Sequence, residues 1–149
     1  MNNAKNIKIF LVDDDQMYLK LLEAEFLQSV NPKTTELTIE TFTTGELCIA
    51  HLSHNPDVII LDYLLDGIDK NAMNGIDTLD KIKAFNPHIP VVILSAQDKI
   101  EVAVNCMHHD ALDYVVKSET AFIRLQKIIA ALLKYQKMDK ALNWYMDKM

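Results

Sequence analysis

Ile7-Lys8-Ile9-Phe10-Leu11-Val12-Asp13-Asp14-Asp15 is the stretch that decides the fold. Its apolar part is nearly continuous in β-branched and aliphatic residues, the composition of a parallel strand covered on both faces. It then breaks abruptly into three carboxylates. The same form recurs downstream, where Val58-Ile59-Ile60-Leu61 runs into Asp62 and Val91-Val92-Ile93-Leu94 runs into Ser95-Ala96. A shorter run, Tyr114-Val115-Val116, ends in Lys117, and Leu37-Thr38-Ile39-Glu40-Thr41-Phe42 alternates apolar with polar residues as an edge strand does.

Between these runs lie helical patterns. Leu19, Leu22, Phe26 and Val30 repeat at helical spacing after Asp15, a suitable N-cap, until Asn31-Pro32 stops them. Thr43-Thr44 opens a second helix carrying Leu47, Ala50 and His51, closed by Asn55-Pro56. A third runs from about Gly75 to Phe85 and stops at Asn86-Pro87; a fourth spans roughly Lys99 to His109; the last begins near Ser118. Five alternations of strand and helix predict an α/β fold, a doubly wound five-stranded parallel sheet with right-handed crossovers and helices on both faces. A flavodoxin-like strand order, 2-1-3-4-5, would bring the ends of strands one, three, four and five around one crevice, where the chemistry of such sheets gathers.

Composition narrows the function. Half of the 149 residues are apolar and 24% are charged, as in ordinary globular proteins, and the net charge of -6 argues against a direct nucleic-acid surface. No apolar run approaches the roughly 18 residues of a membrane span. Met1-Asn2-Asn3-Ala4-Lys5 leads into a strand rather than a signal-peptide core, and Cys48 and Cys106 lack metal-type spacing and read as buried small hydrophobes. A cytoplasmic location is expected.

Asp13, Asp14, Asp62, Ser95 and Lys117 would converge in the crevice. Three crowded carboxylates repel one another, and a divalent cation with one ammonium balances them. Oxygen ligands with room for water suit Mg²⁺. Such a cluster is built to receive a phosphoryl group, with metal and lysine neutralising its oxygens while Asp62 attacks phosphorus in line. Each residue alone has an ordinary role (Asp15 as a helix cap, Lys117 on the surface, Ser95 in a turn), and it is their joint placement at different strand ends that carries the functional reading.

With those residues in view, the chain resembles a receiver domain of two-component response regulators, from residue 5 to about 135. The resemblance rests on Ile9-Phe10-Leu11-Val12-Asp13-Asp14-Asp15, Val58-Ile59-Ile60-Leu61-Asp62, Val91-Val92-Ile93-Leu94-Ser95-Ala96 and Ala111-Leu112-Asp113-Tyr114-Val115-Val116-Lys117. It implies that Asp62 is the phosphoacceptor, charged by a histidine kinase or a histidine phosphotransfer protein. It implies that Asp14 binds Mg²⁺ directly, that Asp13 acts through water and that Leu64 gives the metal its backbone carbonyl. Ser95 takes the place of the switch hydroxyl and Tyr114 that of the aromatic switch. Leu64 and Gln97 border the approach of the water that would hydrolyse the phospho-aspartate.

The sequence departs from the family pattern in two places. Ser118 follows Lys117 where proline is usual, and it is a candidate cap for the last helix. The glycine expected eight residues after the acceptor is matched by Gly75, thirteen after Asp62, which predicts a five-residue insertion within residues 66–74. Residues 136–149 form a helical extension beyond a receiver at 1–135; Met138, Leu142, Tyr145, Met146 and Met149 continue an apolar face there, suited to folding back, to a homodimer or to a linker toward an effector domain. Two rival functions fit these residues less well. An aspartyl phosphatase would need Asp-x-Asp, which Asp62-Tyr63-Leu64 lacks. A phosphorylation-independent docking module of the same fold would not need the full set of acidic, hydroxyl and lysine groups.

Overall fold

The computed structural model describes residues 5–67 and 69–148; the N-terminal residues read against a signal peptide, Ile68 of the insertion and Met149 of the apolar face lie outside them. Five strands, β1 (Lys5–Val12), β2 (Thr35–Phe42), β3 (Val58–Asp62), β4 (Val91–Ser95) and β5 (Asp113–Val116), form one parallel sheet in the order β2-β1-β3-β4-β5. The helices are α1 (Gln16–Ser29), α2 (Gly45–Ala50), α3 (Gly75–Phe85), α4 (Ile100–His108) and α5 (Ala121–Lys148), with a short 3-10 turn at Leu52–His54.

The side-chain alternation of the central strands builds two cores. Phe10, Val12, Ile59, Leu61, Val91 and Ile93 point to one face, where Cys48, Leu79, Ile82 and Cys106 of α2, α3 and α4 cover them. Ile9, Leu11, Val58, Ile60, Val92 and Leu94 point to the other, against Leu19, Leu22 and Phe26 of α1 and Leu125 and Ile129 of α5. Every residue of β3 and β4 is buried, whereas β2 buries only Phe42, as its alternating sequence predicts for an edge. Both cysteines are buried and unpaired, and burial pushes the Cys48 thiol up to about 12.

The helix boundaries follow local chemistry. Asp15 caps α1 by accepting from the N–H groups of Met17 and Tyr18, Thr44 caps α2 through Leu47 N–H, and Asn74 caps α3 through Asp77 N–H. Two expectations are corrected. α2 does not turn Leu47 and Ala50 inward: Leu47 is exposed, while Gly45 and Cys48 are buried, because Gly45 packs directly on the Thr78 side chain of α3 and a Cβ there would collide with it. Ser118 does not cap α5, which begins three residues later. The Ser118 carbonyl accepts from Ala121 N–H in a turn, the Thr120 carbonyl accepts the first helical bond from Arg124, and the Ser118 hydroxyl meets that of Thr120 at 3.2 Å. Among the described residues no peptide bond is cis and no helix is long and apolar enough to cross a membrane.

Candidate phosphoacceptor and metal site

The parallel register decides which side chains meet. Val12 of β1 pairs with Leu61 of β3, so Asp13 and Asp62 emerge side by side; Asp62 pairs with Leu94 of β4, and Ser95 with Val116 of β5, so Ser95 and Lys117 follow on the next strands. Asp13, Asp14 and Asp62 each offer a carboxylate oxygen within 4.8 Å of the others, and the set can hold a metal ion. Asp13 and Asp62 are buried and Asp14 is half-buried.

Both oxygens of the Asp13 carboxylate accept hydrogen bonds. One oxygen accepts from the Asp15 N–H at 2.9 Å and the other from Lys117 Nζ at 2.8 Å. Asp14 accepts no hydrogen bond among the described residues, so of the pair it is the less engaged. Lys117 Nζ also lies 3.5 Å from Asp62 Oδ1 and 4.5 Å above the Tyr18 ring, a contact of the cation–π kind.

Electrostatics set the resting state of this cluster. Burial and the neighbouring Asp13 carboxylate hold the Asp62 carboxyl up at about 7, against the opposing pull of Lys117. For Lys117 burial acts downward, but the hydrogen bond to Asp13 and the field of Asp62 outweigh it, so its pKa is raised and it stays an ammonium. Three carboxyl groups and one ammonium leave negative charge that a divalent cation would offset.

Ser95 is buried at the end of β4. Its hydroxyl accepts from Gln97 N–H at 3.1 Å, and its carbonyl accepts from Lys117 N–H at 2.7 Å. Tyr114 is half-buried and donates its hydroxyl to the Gln97 carbonyl at 2.6 Å. The Leu64 side chain is 45% exposed, while its backbone N–H faces the Asp62 carboxylate and Leu65 is buried instead.

Two participants, Tyr18 and Glu46, escaped sequence reasoning. Tyr18 supplies the ring under Lys117; only its place in the first turn after the Asp15 cap hinted at this. Gly67 lies against the site, since a Cβ there would come within 3.0 Å of Asp14 Oδ2. Glu46 holds the inserted loop by accepting from Met73 N–H at 2.6 Å, a pairing no local pattern announces.

Residues 9–132 match the response regulator receiver domain family. The transcriptional regulatory protein ZraR of Salmonella typhimurium is 30% identical over 129 residues, covering 87% of this chain and 27% of that protein. The DNA-binding transcriptional regulator NtrC of Escherichia coli is 29% identical over 136 residues, covering 91% of this chain and 27% of that protein. The chain thus spans about a quarter of the length of these relatives. Among solved structures, the receiver domain of NtrX from Brucella abortus superposes with a TM-score of 0.70 at 25% identity over 85% of this chain and 98% of that one. A CheX-CheY-BeF3-Mg complex from Borrelia burgdorferi, 23% identical with a TM-score of 0.68 over 84% of this chain and 88% of that one, shares the fold. The five-stranded doubly wound sheet, the acidic pocket at its carboxyl edge and the match over most of the length agree: this chain belongs to the response regulator receiver domain family, whose members are phosphoacceptor signalling modules rather than conventional enzymes.

Proposed function

We propose that Asp62 accepts a phosphoryl group from a histidine kinase or a histidine phosphotransfer protein, in a Mg²⁺-dependent reaction, and that the phosphorylated chain presents a changed surface to an effector in the cytoplasm. The observation that carries this reading is the ammonium of Lys117 held 2.8 Å from Asp13 and 3.5 Å from Asp62 within a cluster of three carboxylates.

Asp14, the less engaged of the pair, would hold the metal directly, and Asp13, already engaged on both oxygens, would act through water; Asp62 and the Leu64 carbonyl complete the donor set. When bound, Mg²⁺ would supply positive charge to the phosphoryl oxygens and favour the carboxylate form of Asp62. An Asp62 oxygen then bonds to phosphorus as the phosphorus–nitrogen bond to the donor imidazole breaks, leaving the electron pair on the imidazole. Lys117 neutralises a phosphoryl oxygen, and the Ser95 hydroxyl, released from Gln97, donates to another. Tyr114 follows because its hydroxyl is tied to the same loop.

Incubation with acetyl phosphate and Mg²⁺ tests the assignment. The parent chain is expected to take up one acid-labile phosphoryl group and Asp62→Asn none. Undiminished labelling of Asp62→Asn would remove Asp62 from the role.

A further inference from the structure

The geometry of α5 points to a second function for its C-terminal half: we propose that residues 131–148 pair with the same segment of a second copy as a parallel two-stranded coiled coil. The helix changes its apolar side along its length. Ala121, Leu125 and Ile129 are buried against the sheet, and Leu132 and Leu133 pack half-buried at the edge of the same core. At 3.6 residues per turn that line continues through Gln136, Lys140, Asn143 and Asp147, all polar. Gln136 and Lys140 border a cleft beside Asn6, Ile7 and Asp57 at the base of the domain, so the domain-facing side of the extension has no apolar stripe with which to fold back.

The apolar residues, Trp144 (57% exposed) apart, lie instead on the roughly opposite side. Tyr135, Met138, Leu142 and Tyr145 are 71, 61, 58 and 65% exposed. They are spaced three, four and three apart, the a and d positions of a heptad, and the exposed Ala131 extends the seam toward the domain. A stripe at this spacing is narrow and suits one partner helix rather than a broad groove.

The flanking charges select the partner and its direction. Lys134 takes a g position and Asp139 the e position five residues on. In a parallel pair of identical helices each Lys134 meets the other copy's Asp139, giving two symmetric opposite-charge contacts. An antiparallel pair would set Asp139 against its own mate and Lys134 against Lys148. Because the seam faces away from the sheet, two receivers would stand on the outer sides of the helical pair, with both acidic pockets open.

Sedimentation equilibrium of the full unphosphorylated chain over a concentration series tests this. The expected result is a reversible monomer–dimer equilibrium, with mass rising from 17.0 kDa toward twice that value. Leu142→Lys, which puts two ammonium groups into the seam, is expected to weaken association by about tenfold or more. Asn143→Lys, one residue on but on the domain-facing line, is expected to leave it within about twofold. Met138→Cys should form a covalent dimer on mild oxidation, since a parallel seam sets the two copies of position 138 level and Cys48 and Cys106 are buried. Circular dichroism checks that each variant is folded. A monomer at every concentration, a trimer or larger species, or a dimer indifferent to Leu142→Lys would overturn the proposal. A dimer that Met138→Cys fails to cross-link would overturn its parallel direction.

Discussion

At Asp62 the site is held in tension by its own burial. The side chain is only 7% exposed, and burial together with Asp13 holds its carboxyl up at about 7, so near neutral pH the metal-free folded chain retains a proton that the unfolded chain has lost. A raised carboxyl pKa costs stability as pH rises from the ordinary value of 3.8 toward about 7. Replacing the group with a neutral isostere should therefore stabilise the metal-free protein, by about 2 kcal/mol at pH 8, with the gain shrinking toward pH 5 as the folded parent's carboxyl regains its proton. Denaturant unfolding of the parent and Asp62→Asn in EDTA across pH 5 to 8 measures it; a gain that does not change with pH would mean that Asp62 is not desolvated in this way. Gly75 is a second residue under close constraint. A Cβ there would lie 2.5 Å from the Tyr63 carbonyl oxygen and 2.7 Å from that of Asp62, and Gly75 N–H donates to the Tyr63 carbonyl. Gly75→Ala must push α3 away from the backbone that carries Asp62, and a loss of about 2–4 kcal/mol in unfolding free energy is expected, with slower phosphorylation. Thermal unfolding and the acetyl phosphate assay read the two effects separately.

Among the elements, the ends of β4 and β5 would carry the proposed response. Ser95, Gln97 and Tyr114 form one hydrogen-bonded group, in which the serine hydroxyl accepts from Gln97 N–H and the tyrosine hydroxyl donates to the Gln97 carbonyl. On the proposed function, a phosphoryl group on Asp62 would compete for the Ser95 hydroxyl, and that differential interaction could shift the population of the loop. Saturating beryllofluoride and Mg²⁺ should therefore move the amide resonances of Ser95, Gln97 and Tyr114, and the Ser95→Ala variant should lose most of the shift at Tyr114. Unchanged spectra under saturation would count against the coupling. The strands, the bounds of α3 and the acidic set were legible in the sequence because each depends on local pattern: apolar runs, Asn74 before Gly75, Asn86-Pro87 after Phe85, a carboxylate or lysine at a strand end. The inward face of α2 was not, because it is chosen by contact with Thr78, thirty-three residues after Gly45. The start of α5 was misplaced because Ser118 is a good cap by type, yet its hydroxyl is taken by Thr120. Tyr18 beneath Lys117 and Glu46 on the Met73 amide are long-range pairings, invisible to any window of sequence.

Across the whole molecule, the two cores close before the chain does. On the α5 side the last fully buried side chain is Ile129, with Leu132 and Leu133 packed at the margin, and every residue from Lys137 to Lys148 is exposed. A receiver ending at residue 135 would thus keep both hydrophobic clusters, all five strands and the full acidic site, while loss of residues 136–148 would remove only exposed helix and the cleft-lining Gln136, Lys137 and Lys140. Segments without buried apolar contacts add little to global stability, and changes confined to such surfaces usually stay within about 0.5 kcal/mol. A chain ending at Tyr135 is therefore expected to unfold at low concentration, where association is negligible, within about 0.5 kcal/mol of the full chain, and to take up phosphoryl label at the same rate. Denaturant midpoints and labelling time courses of the two chains provide the comparison. A large loss of stability in the shorter chain would show that the extension packs on the base of the sheet through Gln136 and Lys140, and that the boundary at 135 cuts through the domain rather than beside it.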